Sequence, residues 1–162
     1  MDREYRRAAP LFVAVNDNDN VNVNGSGATM TIDPADLVRR LLAALEGGAT
    51  GDALAAFFHP DIEQVEQPNR MTAAGARRDR AAMLAGAEKG AGLMASQRYD
   101  VRNLIVDRDG RRVAAEVEWE ATTAIALGPL PAGHVFRAHL AMFFELEDGR
   151  VRRIVNYDCY QP

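Results

Sequence analysis

The chain has 162 residues, 48% hydrophobic and 26% charged, with a net charge of −4 from 19 basic and 23 acidic residues, which fits one globular domain with a sizeable core. No basic block marks a nucleic-acid footprint and no apolar run reaches the roughly 20 residues that span a bilayer, so nucleic-acid and membrane roles are excluded. One cysteine, Cys159, and three histidines rule out an internal disulfide and leave little material for a zinc cluster. The expectation is a reducing, cytoplasmic setting with no metal and no cofactor.

Residues 1–30 differ in composition from the rest. Met1 to Arg7 is basic and Leu11 to Val15 apolar, a pattern too short for a signal peptide and without a small-x-small cleavage site. Asn16 to Gly27 is a polar repeat that cannot bury enough surface to order itself, so a flexible tail is expected. A calcium loop is rejected because Val21 and Ala28 hold ligand positions. Met30 directly precedes the first regular segment and is a candidate start of translation.

From Thr31 onward the elements follow in order. Asp33 and Pro34 open a helix carrying Leu37, Leu41, Leu42 and Leu45, which Gly47-Gly48 ends. Asp52 caps a short second helix with Leu54, Phe57 and Phe58, stopped by His59-Pro60. Ile62 to Gln67 reads as an edge strand closed by Pro68. A third helix is expected from about Ala73 to Met94, its exposed face holding the arginines at 77, 78 and 80. Strands at Tyr99 to Val106, Arg111 to Ile125, Val135 to Leu146 and Val151 to Tyr160 complete the chain. The class is α+β, three N-terminal helices packed on a curved antiparallel sheet.

This order, with FHPDIEQVEQP, VEWEATT, the LPAG connection and the terminal YDCYQP, resembles the nuclear transport factor 2-like superfamily, and in particular its SnoaL-like, polyketide cyclase-like branch. The resemblance covers residues 31–162. It implies a cone-shaped domain that binds a small apolar or polyketide-like ligand, and a sheet whose outer face forms a homodimer contact. The family hosts isomerases, cyclases, dehydratases, hydrolases and non-catalytic binding modules, so the fold does not choose among them. Aligned with ketosteroid isomerases, the chain has Leu41, Gln67 and Ala141 where those enzymes carry a tyrosine, an aspartate base and an aspartic acid. Their mechanism is excluded on that alignment.

The candidate site comes from hairpin pairing. Asp148-Gly149 favours a two-residue type I′ turn between the last two strands, and continuing that register places His139 opposite Asp158, Arg137 opposite Tyr160 and Ala141 opposite Asn156. Across the preceding connection, matched faces allow Glu118, Glu120 or Thr122 opposite His139, and Glu120 is taken. The expected catalytic group is His139 as base, Asp158 as its orienting partner or the acid, and Glu120 as second carboxylate. Gln67, Glu118, Arg137, Asn156 and Tyr160 are expected to bind substrate. Glu63 and Glu66 read as solvated, and Cys159 as a small buried hydrophobe.

This arrangement assigns the apolar row Ala138, Leu140, Met142 and Phe144, with Trp119, to the outer dimer face and the polar row to the pocket. The opposite assignment, with the apolar row packed on the helices, puts the polar row in solvent. Two functions follow: a cofactor-independent isomerase, cyclase, dehydratase or hydrolase, or a non-catalytic ligand-binding or dimeric accessory module.

Overall fold

The computed structural model describes residues 32–162, so the expectations for the tail and for Met30 lie outside the described residues. Helix α1, Pro34–Glu46, begins as its sequence dictates. The Asp33 carboxylate accepts from the Asp36 N–H at 3.0 Å, and Pro34 fills a first-turn position where no donor is needed. Its apolar stripe, Leu37, Val38, Leu41, Leu42 and Leu45, is buried against the sheet. Helix α2, Gly51–Ala55, is capped at Thr50 rather than Asp52 and is shorter than expected, because Phe58 already belongs to the next strand.

Strand β1, Phe58–Glu66, is followed by β2, Ala76–Asp79, and then by α3, Arg80–Gly90. Only two helices therefore precede the sheet, and the expected helix at 73–94 is half that length. Its first residues are captured by pairing with β1, which satisfies more backbone groups than an isolated helical turn. The link needs Gly75: at φ +65° a Cβ would lie 2.6 Å from the Glu66 carbonyl oxygen. Asp79 then caps α3, accepting from Ala82 N–H at 2.8 Å.

The remaining strands are β3, Met94–Val106, β4, Arg112–Thr123, β5, Val135–Glu147, and β6, Arg150–Tyr160. They form one six-stranded sheet in the order β2-β1-β6-β5-β4-β3. Strand β1 is internal, not an edge, and runs parallel to β6.

Two features of register decide which side chains face the helices. The β5–β6 turn has the expected positive φ at both Asp148 and Gly149 and pairs Glu147 with Arg150 and Leu146 with Val151. The ladder then shifts by one at a bulge, where Arg152 is the extra residue, so that Glu145 pairs with Arg153 and every later pair is displaced. In the β4–β5 ladder Glu118 pairs with His139 and Glu120 with Arg137.

The inner face is consequently the apolar one. Val113, Ala115, Val117, Trp119 and Ala121 of β4 and Ala138, Leu140, Met142 and Phe144 of β5 are all buried with α1 in a single core. The expected outer dimer face carrying Trp119, Leu140, Met142 and Phe144 is thus the core itself.

Candidate functional site

Because of the bulge, β6 contributes Ile154, Asn156, Asp158 and Tyr160 to the inner face, while Val155, Tyr157 and Cys159 point outward. Asn156 and Asp158 are 1% and 7% exposed. Asp158 stands opposite Leu140 and His139 opposite Cys159, so the expected His139–Asp158 pair does not exist. A one-residue shift moves a side chain to the other face of a sheet. For the same reason Asn156 meets Met142, Ala138 meets Tyr160, and Cys159 is exposed rather than buried. Ala141 lies outside, opposite Tyr157, whereas its inner neighbours Leu140 and Met142 carry no hydrogen-bond donor.

Alternation along β1 brings Gln64 and Glu66 to the interior at 2% and 6% exposure, correcting the reading of Glu66 as solvated. Glu66 is held from both sides. Arg78 Nη1 lies 2.8 Å from its Oε2, and the Asn69 amide donates to Oε1 at 2.8 Å. Arg78 also donates to Gln64 Oε1 at 3.3 Å. The arginine expected on an exposed helix face is therefore a strand residue paired with a buried carboxylate. The alternation Ile62, Gln64, Glu66 already groups Glu66 with an apolar residue, which was the available signal. Nothing local marked Arg78, because its orientation depends on β1–β2 pairing.

Asp158 has the opposite environment. Its Oδ1, the Oδ1 of Asn156 and the hydroxyl of Tyr99 are buried without a hydrogen-bond partner among the described residues. Burial pushes the Asp158 carboxyl up to about 6. The negative charge of Glu66 adds to that effect, and the Asn156 amide and the Arg78 cation oppose it. Tyr99 and Tyr160 are both held above the ordinary phenol range, first by burial, with Asp158 adding to it. The interior thus holds one carboxyl group hydrogen-bonded at both oxygens, Glu66, and one under-satisfied carboxyl, Asp158, that burial pushes up to about 6.

The other expected site residues lie elsewhere. On the outer face Arg137 pairs with Glu120 at 2.8 Å and Arg102 with Glu118 at 2.5 Å, which holds the Glu118 carboxyl below the usual range. His139 Nε2 is 3.1 Å from the Gln161 amide. These side chains line a groove of about 340 Å³ on the outer face, away from Asp158. Gln67 directly follows β1, its N–H bonded to the Asn156 carbonyl at 2.9 Å. Of the expected residues, the structure sets Asp158, Asn156 and Tyr160 in one inner row and places His139, Glu120, Glu118 and Arg137 on the outer face, with Arg137 and Tyr160 both bordering a recess at the sheet end. Among the described residues no cluster of three or more His, Cys, Asp or Glu is placed to hold a metal ion, and no helix is long and apolar enough to cross a membrane.

Comparison with known proteins fits this architecture. IdmH from Streptomyces antibioticus, a proposed polyketide cyclase, is similar with a TM-score of 0.64 at 20% identity, over 78% of this chain and 92% of that one. AclR from Streptomyces galilaeus, a proposed hydroxylase, gives 0.62 at 20% identity over 80% of each chain. A proposed polyketide cyclase from Pseudomonas putida gives 0.58 at 24% identity, over 78% and 91%. At these identities the likeness shows the fold. No curated protein matches the sequence. The SnoaL-like domain model matches residues 38–154, and with that span covering most of the chain, the protein belongs to the SnoaL-like family of the nuclear transport factor 2-like superfamily.

Proposed function

We propose that this SnoaL-like protein is a cofactor-independent acid–base enzyme acting on a small, largely apolar, polyketide-like ligand, with Asp158 as the group that moves the proton. The observation that carries the reading is the contrast of environments on the inner face: both Glu66 oxygens are hydrogen-bonded, by Arg78 and Asn69, while Asp158 is buried, under-satisfied and shifted to about 6. A buried carboxyl group raised toward neutral pH is suited to carry a proton. As carboxylate, Asp158 takes a proton from a carbon next to a carbonyl, and as acid it returns that proton. The Tyr99 hydroxyl, on which the Asp158 charge acts, is also buried without a partner, and in this reading it and the Asn156 amide nitrogen donate to the carbonyl oxygen. His139, on the outer face, has no part in this chemistry.

The test is solvent deuterium incorporation at the α-carbon of 2-tetralone, followed by proton NMR. The wild type is expected to catalyse exchange, with a rate rising through about pH 6. Asp158→Asn is expected to reduce it by about 100-fold or more, and His139→Ala to leave it unchanged. Exchange unaffected by Asp158→Asn refutes the reading. Binding of the ketone without exchange favours the alternative, a non-catalytic binding module.

The outer face supports a homodimer through residues other than those first expected. Phe143 and Tyr157 are each 48% exposed and meet edge-on at 6.0 Å, and with Ile105 and Val155 they line an apolar groove of about 440 Å³. A second copy of the chain is the occupant we propose for it.

A further inference from the structure

A second recess, of about 210 Å³, lies where the β1–β2 and β4–β5 connections meet the sheet. Arg70 and Met71 form one side, Leu130 and His134 another, and Phe136 and Tyr160 the sheet side. Arg137, Gln161 and Pro162 complete the rim, and the rings of His134, Phe136 and Tyr160 supply its flat surfaces. His134 meets Phe136 edge-on at 4.8 Å, Phe136 stacks on Trp119 at 6.4 Å, and Trp119 meets Tyr160 edge-on at 6.0 Å. Tyr160 belongs to this recess and also to the neighbourhood of Asp158 and Glu66, whose charges act on its hydroxyl. The recess and the acid–base interior therefore share a wall.

The charge balance at this end is uneven. Arg137 is paired with Glu120 and Arg78 with Glu66, each at 2.8 Å. Arg70 forms no ion pair among the described residues and donates only to the Gln161 carbonyl, at 3.4 Å. A guanidinium carries five N–H donors in a fixed fork that suits a carboxylate, and most of the Arg70 fork is free for a ligand. A recess of this volume is smaller than the roughly 300–1,000 Å³ of pockets that hold whole drug-sized molecules. It accommodates a small planar ring system of one or two fused rings with its substituent.

We propose that this recess is a subsite for a planar aromatic acid, its ring held by Phe136, His134 and Tyr160 and its carboxylate paired with Arg70. The proposal rests on the reading of the inner face as a small-ligand site and adds to it the charge and shape of the ligand. An exposed arginine can leave the fold untouched when replaced, so the substitution is informative.

Isothermal titration calorimetry with 2-naphthoate and the neutral 2-naphthamide, on wild type, Arg70→Ala and Asp158→Asn at low and high salt, tests the proposal. At low salt the wild type is expected to bind naphthoate at least tenfold more tightly than the amide, with the preference shrinking in high salt. Arg70→Ala is expected to abolish the preference with an unchanged melting temperature, and Asp158→Asn to retain it. Equal affinities in the wild type, a preference that survives Arg70→Ala, or no binding of either compound overturns the proposal. None of those results bears on Asp158, which is judged by exchange on a neutral ketone. Conversely, an intact naphthoate preference without ketone exchange refutes the acid–base reading and leaves the subsite standing.

Discussion

Leu140 and Asp158 face each other across the β5–β6 ladder on the buried side of the sheet. A carboxyl group beside a leucine, with one oxygen lacking any hydrogen-bond partner among the described residues, loses hydration without full compensation. That cost is borne mainly by the ionised form, which is why Asp158 is pushed up to about 6.

The shift fixes a pH dependence of stability. The folded state binds the Asp158 proton more tightly than the unfolded chain, so stability falls as pH rises from about 4 through about 6 and levels off above. The ceiling on this loss is about 3 kcal/mol. Asp158→Asn is expected to flatten that part of the profile, leaving stability near pH 4 little changed and raising it at pH 7.5 by about 1–3 kcal/mol. Urea unfolding of both proteins across that range measures the difference, and a variant less stable than the parent at pH 7.5 contradicts the assignment.

Removing Arg78 leaves Glu66 buried with only the Asn69 amide as partner. Arg78→Met is expected to destabilise the domain by on the order of 3 kcal/mol, since breaking a buried pair strands its other charge. Replacing both residues, Glu66→Gln with Arg78→Met, is expected to recover much of that loss. Thermal or urea unfolding of the single and double variants forms the cycle, and additive losses would show that the two side chains are not coupled.

Self-association through the outer face makes Phe143 and Tyr157 its sensitive positions. Gel filtration coupled to light scattering is expected to report twice the chain mass for the wild type and a monomer of unchanged fold for Phe143→Glu. A monodisperse wild-type monomer at high concentration would refute the dimer. Leu140→Lys, by contrast, is expected to unfold the protein, because Leu140 is 4% exposed within the core.

The Arg152 bulge is open to direct test by deletion. Without the extra residue Arg153 follows Val151 directly, so Glu145 still meets Arg153, Leu140 still meets Asp158, and the inner row keeps its facing. Deleting Arg152 is therefore expected to leave the protein folded, whereas inserting one alanine after Arg153 displaces every later residue and is expected to destabilise by more than about 4 kcal/mol or to prevent folding, read by circular dichroism and expression in soluble form. A deletion variant in which Cys159 becomes protected from thiol reagents would show the strand flipped and contradict this register.

Features set by neighbours in sequence were legible from the chain alone. The Asp33-Pro34 start of α1, its leucine stripe, the α+β class and the type I′ turn at Asp148-Gly149 all follow from backbone preferences and periodicity over a few residues. So did the placement of Asp158, Asn156 and Tyr160 in one row, since they alternate along a single strand. The facing of that row was decided by tertiary structure. The bulge forms where β6 meets β1, with Arg152 bonded to the Asp61 carbonyl and Phe58 and Glu63 pairing to either side of it. Likewise Arg78 turns inward only because residues 76–79 pair with β1. A strand repeats every two residues, so a single inserted residue contributed by a distant contact inverts all that follows. Local preference therefore supplied the polar residues, and long-range pairing put Asp158 inside and His139 outside.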